Sequence, residues 1–185
     1  MKKVFAFMAL AMVFAACSNS AKFTDSINEL ASKWDATTAA VTEFSQTMKD
    51  AQSAWVETSN TMQVAPETMA NWDETTKNKY NELQAAAQTN TTNLGSIASE
   101  LEEFMVQWSE QNNTMQDLKD GLASGKLSGD TEAKIAELTS AANNAATMLD
   151  GWKTKYQEVA SALDNSKQMF TDFMGSIGGD DSSTR

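Results

Sequence analysis

The fold is decided by residues 23–62, which read FTDSINELASKWDATTAAVTEFSQTMKDAQSAWVETSNTM. Side chains that are apolar except at Thr37 and Thr58 recur in this stretch at alternating intervals of three and four residues, from Phe23 to Met62. This spacing is that of the a and d positions of a heptad repeat, which fall on one side of an α-helix. The stretch therefore predicts a long helix that packs along one apolar seam.

Two further heptad segments follow the first. Pro66 should end the first helix, because proline has no N–H to donate and clashes with the preceding turn, and it also suits the start of the next helix. Glycines at positions 121, 125 and 129 predict a turn between the second and third segments. We therefore predict an all-α fold, an elongated antiparallel three-helix bundle or coiled coil in up-down-up order. It should occupy residues 23–177, with helices at about 23–63, 66–120 and 130–175.

The alternation of large and small seam residues suggests how these helices pair. With Met62 opposite Met69, Trp55 faces Thr76, and with Leu118 opposite Ile135, Leu101 faces Trp152, as close packing of large against small requires.

In this register Phe23 lies level with Trp108, so residues 109–144 should extend past the first helix as a bare hairpin. The tip of that hairpin could touch a membrane, or could be an ordinary polar loop; the residues concerned are Leu122, Leu127, Lys119 and Lys126.

The amino terminus has the organisation of an export signal. Lys2 and Lys3 precede an apolar run of about 13 residues, which is too short to span a membrane. The segment Phe14-Ala15-Ala16-Cys17 resembles the lipobox of bacterial lipoproteins, with Phe14 where the family prefers leucine. The resemblance implies that the Cys17 thiol is diacylglycerylated, that the bond between Ala16 and Cys17 is cut, and that the new amine is acylated. The alternative is an ordinary signal peptide with a cysteine near its end.

The same resemblance bears on location. Residues 1–16 would be the cleaved signal and residues 17–22 the acylated cysteine and a short linker. At the other end, independently of the resemblance, residues 180–185 include no apolar residue, so we expect residues 178–185 to be a disordered tail. Ser18 stands where an inner-membrane retention signal would have aspartate, which implies an outer-membrane lipoprotein. No acidic cluster directly follows Cys17, so we expect the periplasmic leaflet rather than the cell surface. The segment Asp25-Ser26-Ile27 also matches a short bacterial O-glycosylation pattern centred on Ser26.

Composition removes several classes of function. The formal net charge of −11 at pH 7 argues against nucleic-acid partners. The chain has no histidine, and its one cysteine would be acylated, so His or Cys metal sites, cysteine nucleophiles and histidine bases are not expected. Glu100, Glu102 and Glu103 lack the histidines of a carboxylate-bridged metal site and should form a solvated face. We expect no enzyme activity and no cofactor beyond the covalent lipid on Cys17.

The first hypothesis is a membrane-anchored, non-enzymatic envelope lipoprotein that acts as a rod-like scaffold, spacer or protein-binding module. Its partners would be the membrane, through the acyl chains, and an unidentified envelope protein. The alternative is a membrane-active or lipid-handling helical protein that opens its bundle to expose the apolar seam. Polar seam residues such as Thr37, Asn90 and Ser166 favour the first hypothesis, because buried polar groups usually fix register.

Overall fold

The computed structural model describes the backbone of residues 2–178 and the side chains from Ser20 onward. Within this part of the chain the protein is helical and contains no strand, so the all-α prediction is confirmed. Four helices follow one another, and they are α1 (Lys2–Thr61), α2 (Pro66–Ala70), α3 (Glu74–Ser124) and α4 (Thr131–Gly178).

The first and last boundaries differ from the predicted ones. The backbone of α1 is helical from Lys2, whereas the helix was expected to begin at Phe23 after a linker. The last helix continues to Gly178, a few residues beyond the expected end. Residues 179–185, which make up most of the predicted tail, lie outside the described residues, as do the side chains of Ala16 and Cys17.

The predicted continuous helix over 66–120 is wrong, because two caps interrupt it. Pro66 does begin a helix, but α2 ends at Ala70, where the Asn71 N–H bonds back to the carbonyl of Thr68 at 3.2 Å. Asp73 then caps a new helix by accepting a hydrogen bond from the Thr76 N–H at 2.7 Å. The chain therefore reaches the start of α3 only at Glu74.

The helices form two compact units, and α1, α3 and α4 contribute to both. Unit 1 comprises Met1–Thr42 and Glu102–Leu149, and unit 2 comprises Glu43–Leu101 and Asp150–Arg185. In unit 1 one buried cluster draws side chains from all three helices: Ile27, Leu30, Trp34, Trp108, Met115, Leu118, Leu138, Ala142 and Ala145.

Unit 2 contains an aromatic cluster next to α2. Tyr80, Leu83 and Phe173 are buried there, and Trp72 packs edge-on against both Tyr80 and Phe173 with 5.5 Å between ring centroids. The Tyr80 hydroxyl accepts a hydrogen bond from the Val64 N–H at 3.2 Å, which ties the chain ahead of α2 to α3. Elsewhere in the unit, Phe44 of α1 contacts Tyr156 of α4.

The predicted pairing of α1 with α3 is wrong in both units. The prediction places Trp55 opposite Thr76. In unit 2 the indole N–H of Trp55 instead donates to Thr91, which lies about four helical turns further along α3 than Thr76. In unit 1 the prediction places Trp108 level with Phe23, whereas Trp108 stacks on Trp34. The shift arises because the connection between α1 and α3 includes all of α2 and its flanking turns. By contrast, the α3–α4 contacts agree with the prediction, since Trp152 donates to Glu100, the neighbour of Leu101.

The expected bare hairpin is also wrong, for the same reason. Because α1 is shifted along α3, residues that were expected to lie past its end are covered by it. Ile27 and Leu30 of α1 belong to the same buried cluster as Leu118 of α3 and Leu138 of α4.

Candidate functional site

The turn between α3 and α4 lies at the same end of unit 1 as the first described side chains of α1. A Cβ atom added to Gly125 would lie 4.0 Å from the Ser20 hydroxyl. Nearby, Lys22 Nζ approaches a carboxylate oxygen of Glu132 at 3.4 Å and lies 4.9 Å from the ring centroid of Phe23. The turn therefore lies beside a residue that follows Cys17 by three positions.

The turn itself is built around a left-handed glycine. Gly125 has a φ of 67°, a conformation that residues with a side chain rarely adopt. The N–H of Lys126 bonds to the Gly121 carbonyl at 2.8 Å, and that of Gly125 bonds to the Leu122 carbonyl at 3.2 Å. These two bonds satisfy carbonyls that the end of α3 would otherwise leave free, as in a Schellman motif.

The start of α4 is fixed by short-range polar contacts. The Ser128 hydroxyl donates to the Asp130 carboxylate, and the Thr131 hydroxyl donates to the Ser128 carbonyl at 2.7 Å. The Ser128 hydrogen bond, followed by that of Lys134, holds the pKa of Asp130 below its ordinary value. Thr131 is fully buried, so the turn is anchored in the unit rather than loosely attached to it.

The structure brings the four predicted tip residues to this turn but gives them different surroundings. Leu122 and Leu127 are partly buried and pack against the core cluster of unit 1. Leu127 Cδ2 would lie only 3.0 Å from a Cβ on Gly121, so its side chain covers that glycine. Lys119 pairs with Asp35 at 3.0 Å, whereas Lys126 is exposed. Membrane contact by these residues remains a prediction.

A set of tryptophan hydrogen bonds links the helices, and sequence reasoning missed it. Each of these indole N–H groups donates to a polar side chain on another helix, in the pairs Trp34–Asn112, Trp55–Thr91, Trp108–Thr38 and Trp152–Glu100. The heptad pattern assigned the tryptophans to the seam, but their acceptors flank the seam and carry no apolar signal. A buried tryptophan usually needs an acceptor for its indole N–H, so tryptophans on a seam indicate that polar acceptors lie nearby on a facing helix.

The polar seam positions and the acidic group are also placed by the structure. Asn90 donates to the Ser166 hydroxyl at 3.0 Å and to the Ala162 carbonyl at 3.2 Å, so two polar seam residues meet in unit 2. Glu102 and Glu103 are exposed as predicted, and so is Glu100. It accepts hydrogen bonds from Lys155 and Trp152, and these lower the pKa of its carboxyl group.

The grooves along the helices are shallow and lined by mixed side chains. One of about 260 Å³ lies beside Glu100 and Lys155 in unit 2. Another of about 250 Å³ runs between α1 and α4 in unit 1, where the exposed residue Ser26 lies near Ile135 and Thr139. Glycosylation of Ser26 remains a prediction.

Over the described residues, no group of histidine, cysteine, aspartate or glutamate side chains is arranged to hold a metal ion. Nor does any helix, over the same part of the chain, combine the length and apolarity needed to cross a membrane. Comparison with known proteins finds no matching family model, no matching curated protein and no matching solved structure.

Proposed function

We propose that this chain is an acyl-anchored, non-enzymatic envelope lipoprotein whose helices serve as a scaffold, spacer or protein-binding module. The observation that carries the proposal is the position of Cys17 shortly before the buried core of unit 1. The lipobox-like segment ends at Cys17, and Ile27, the first buried core residue among the side chains that the structure describes, follows ten positions later. A protein tethered by two or three acyl chains stays bound to a bilayer, whereas one chain holds it only marginally.

The anchor is tested by labelling growing cells with an alkyne-bearing fatty acid. The wild-type protein should carry the label and sediment with membranes, and the Cys17→Ala variant should do neither. A specific inhibitor of the lipoprotein signal peptidase should leave the wild-type protein at its longer precursor length. An unlabelled wild-type protein that is released into the periplasm would overturn the proposal.

We further propose that α1, α3 and α4 pack as an antiparallel, up-down-up three-helix bundle within each unit. The contacts in unit 1 support this, because one cluster joins Leu30 of α1, Trp108 of α3 and Ala142 of α4. In unit 2 the hydrogen bonds from Trp55 to α3 and from Trp152 to α3 support the same arrangement.

The tryptophan hydrogen bonds favour this module over the alternative of a bundle that opens onto lipid. Opening the seam would separate each indole N–H from its acceptor, and an unsatisfied buried donor costs about 1–3 kcal/mol. Trp34 is only 1% exposed, and Trp108 and Trp55 are each 5% exposed, so these donors are shielded from water in the closed state. We therefore expect the thermal unfolding transition to stay cooperative and unshifted when liposomes are added.

The proposed location is the periplasmic leaflet of the outer membrane, with an envelope protein as partner. Membrane fractionation should place the acylated protein in the outer membrane, and protease added to intact cells should leave it uncut. Crosslinking in intact cells followed by denaturing purification should recover a discrete envelope protein. Degradation of the protein on intact cells would assign it to the cell surface instead.

A further inference from the structure

The distance between Cys17 and the α3–α4 turn is limited by the chain itself. Two residues separate Cys17 from Ser20, and consecutive Cα atoms are 3.8 Å apart, so the Cα atoms of Cys17 and Ser20 lie within about 11 Å of each other. Ser20 in turn approaches Gly125, since a Cβ at that glycine would lie 4.0 Å from the Ser20 hydroxyl. Lipid chains on Cys17 would therefore hold this turn close to the bilayer.

We infer that the α3–α4 turn, residues 121–130, rests on the phospholipid headgroups of the membrane that holds acylated Cys17. This inference depends on the proposed acyl anchor, and it adds which surface of unit 1 faces the bilayer. The partner is a lipid surface and not a second protein, because an anchor this short leaves little room for a protein between the turn and the membrane.

The contact is at headgroup depth, because the leucines of the turn are already engaged. Leu122 and Leu127 pack against the core cluster of unit 1. Leu127 also covers Gly121, with Cδ2 at 3.0 Å from a would-be Cβ, so inserting Leu127 into the acyl region would require the turn to open. The residues left exposed are small or polar, such as Ala123, Lys126 and Ser128.

The turn has little unpaired positive charge with which to bind anionic lipid. Three lysines at this end are each paired with a carboxylate on a neighbouring residue or helix, in the pairs Lys22–Glu132, Lys119–Asp35 and Lys134–Asp130. Asp120 is exposed at the end of α3 and offsets Lys126. Membrane binding by unpaired lysines adds about 1 kcal/mol per residue. Here the tether imposes the contact, which should be insensitive to the anionic lipid content.

The test uses the acylated full-length protein with a single environment-sensitive fluorophore on an added cysteine. The Cys17 thiol is consumed by acylation, so Lys126→Cys can be labelled at one site. Val106→Cys is the matched control, because Val106 is 65% exposed on α3 and lies about 27 Å from the end of that helix at Ser124, at 1.5 Å per residue. The proteins are reconstituted into phosphatidylcholine vesicles that carry a quencher on the headgroup or in mid-chain.

We expect the headgroup quencher to remove about half of the fluorescence at position 126 and almost none at position 106, with little effect of the mid-chain quencher at either. Ala123→Cys should behave like Lys126→Cys, which guards against a local effect of one substitution. Replacing part of the phosphatidylcholine by phosphatidylglycerol should leave the quenching unchanged.

Equal quenching at positions 126 and 106 in a protein whose mass shows the lipid would overturn the inference and leave the acyl anchor standing. If the mid-chain quencher removed more fluorescence at position 126 than the headgroup quencher, the turn would lie deeper than the headgroups and that part of the inference would be wrong. A protein that carries no lipid by mass would overturn the proposed anchor, and the inference with it.

Discussion

Trp34 and Trp108 stack in the core of unit 1 with 3.7 Å between their ring centroids and 7° between their planes. Thr38 also links the Trp108 ring to the backbone of Trp34, since its hydroxyl accepts from Trp108 Nε1 at 2.9 Å and donates to the Trp34 carbonyl at 2.8 Å. Trp34 Nε1 donates in turn to Asn112 at 3.0 Å. This arrangement specifies both the packing and the register of α1 against α3 in this unit.

Removing the Trp108 ring should strongly destabilise the protein. Trp108→Ala leaves a large cavity and an unstacked Trp34, and such core truncations cost about 3–5 kcal/mol of the free energy of unfolding. Val106→Ala is the control, because an exposed site should change by no more than about 0.5 kcal/mol. Urea unfolding followed by far-UV circular dichroism measures both. Similar midpoints for the two variants would contradict the packing described for unit 1.

The register in unit 2 can be tested with two neighbouring threonines. Thr91 and Thr92 each donate a hydrogen bond to the carbonyl four residues earlier, but only Thr91 also accepts from Trp55 Nε1, at 2.7 Å. Thr91→Val leaves a buried N–H without an acceptor and should cost about 1–3 kcal/mol. Thr92→Val should be nearly neutral in the same unfolding experiment. If Thr92→Val proved as costly as Thr91→Val, the pairing of Trp55 with Thr91 would be wrong.

The heptad spacing was sufficient to predict the helical fold and most of the buried residues, because burial follows helical periodicity. It also predicted the pairing of α3 with α4, since a tight glycine turn leaves little freedom in register. The predicted α1–α3 pairing is wrong because it places the centre of the turn at Pro66. Asn71 and Asp73 interrupt the helix again after Pro66. At this point hydrogen bonds from capping residues to the backbone end one helix and begin another, although the seam residues continue past them.

The α3–α4 turn should be sensitive to loss of the glycine at its left-handed position. Gly125→Ala forces a side chain into a φ of 67° and should lower the free energy of unfolding by about 1 kcal/mol. Gly151→Ala gives the opposite expectation, because Gly151 lies inside α4 with nothing within 4 Å of a new Cβ. That variant should gain up to about 1 kcal/mol from helix propensity. Thermal unfolding shifts of the same sign in both variants would contradict the turn geometry.

Glu100 should make the stability of unit 2 depend on pH. Hydrogen bonds from Lys155 first, and then from Trp152, hold the pKa of Glu100 below its ordinary value. A lowered carboxyl pKa in the folded state stabilises the protein above the pH at which an unfolded glutamate titrates, roughly 4 to 5. That contribution is lost as the pH falls through the folded-state pKa.

Glu100→Gln should therefore have a lower Tm than wild type at pH 7, and the difference should shrink at acidic pH. The effect will be modest, because the Glu100 side chain is 44% exposed and solvent screens its charge. Glu102→Gln, at an exposed position on the same helix, should change the Tm little at either pH. If the Tm difference between Glu100→Gln and wild type grew on acidification, the pKa of Glu100 would not be lowered in the folded state.

The candidate site was predictable in part. The glycines indicated the turn, but the heptads could not show that α1 covers the hairpin. The acyl anchor on Cys17 stays a prediction. The predicted register places Leu122 and Leu127 beyond the end of α1. Their packing against the core accompanies the shift of α1 along α3, which brings Ile27 and Leu30 of α1 into the same buried cluster as Leu118.

Acylation of Cys17 is measured most directly by the intact mass of the protein purified from membranes with detergent. We expect a chain that begins at Cys17 and carries a diacylglyceryl group on the thiol and a fatty acid on the new amine. The Cys17→Ala variant should yield no lipidated species. A wild-type protein that begins at Cys17 or later without added lipid, or that retains residues 1–16 in its mature form, would show that Cys17 is not an acyl anchor.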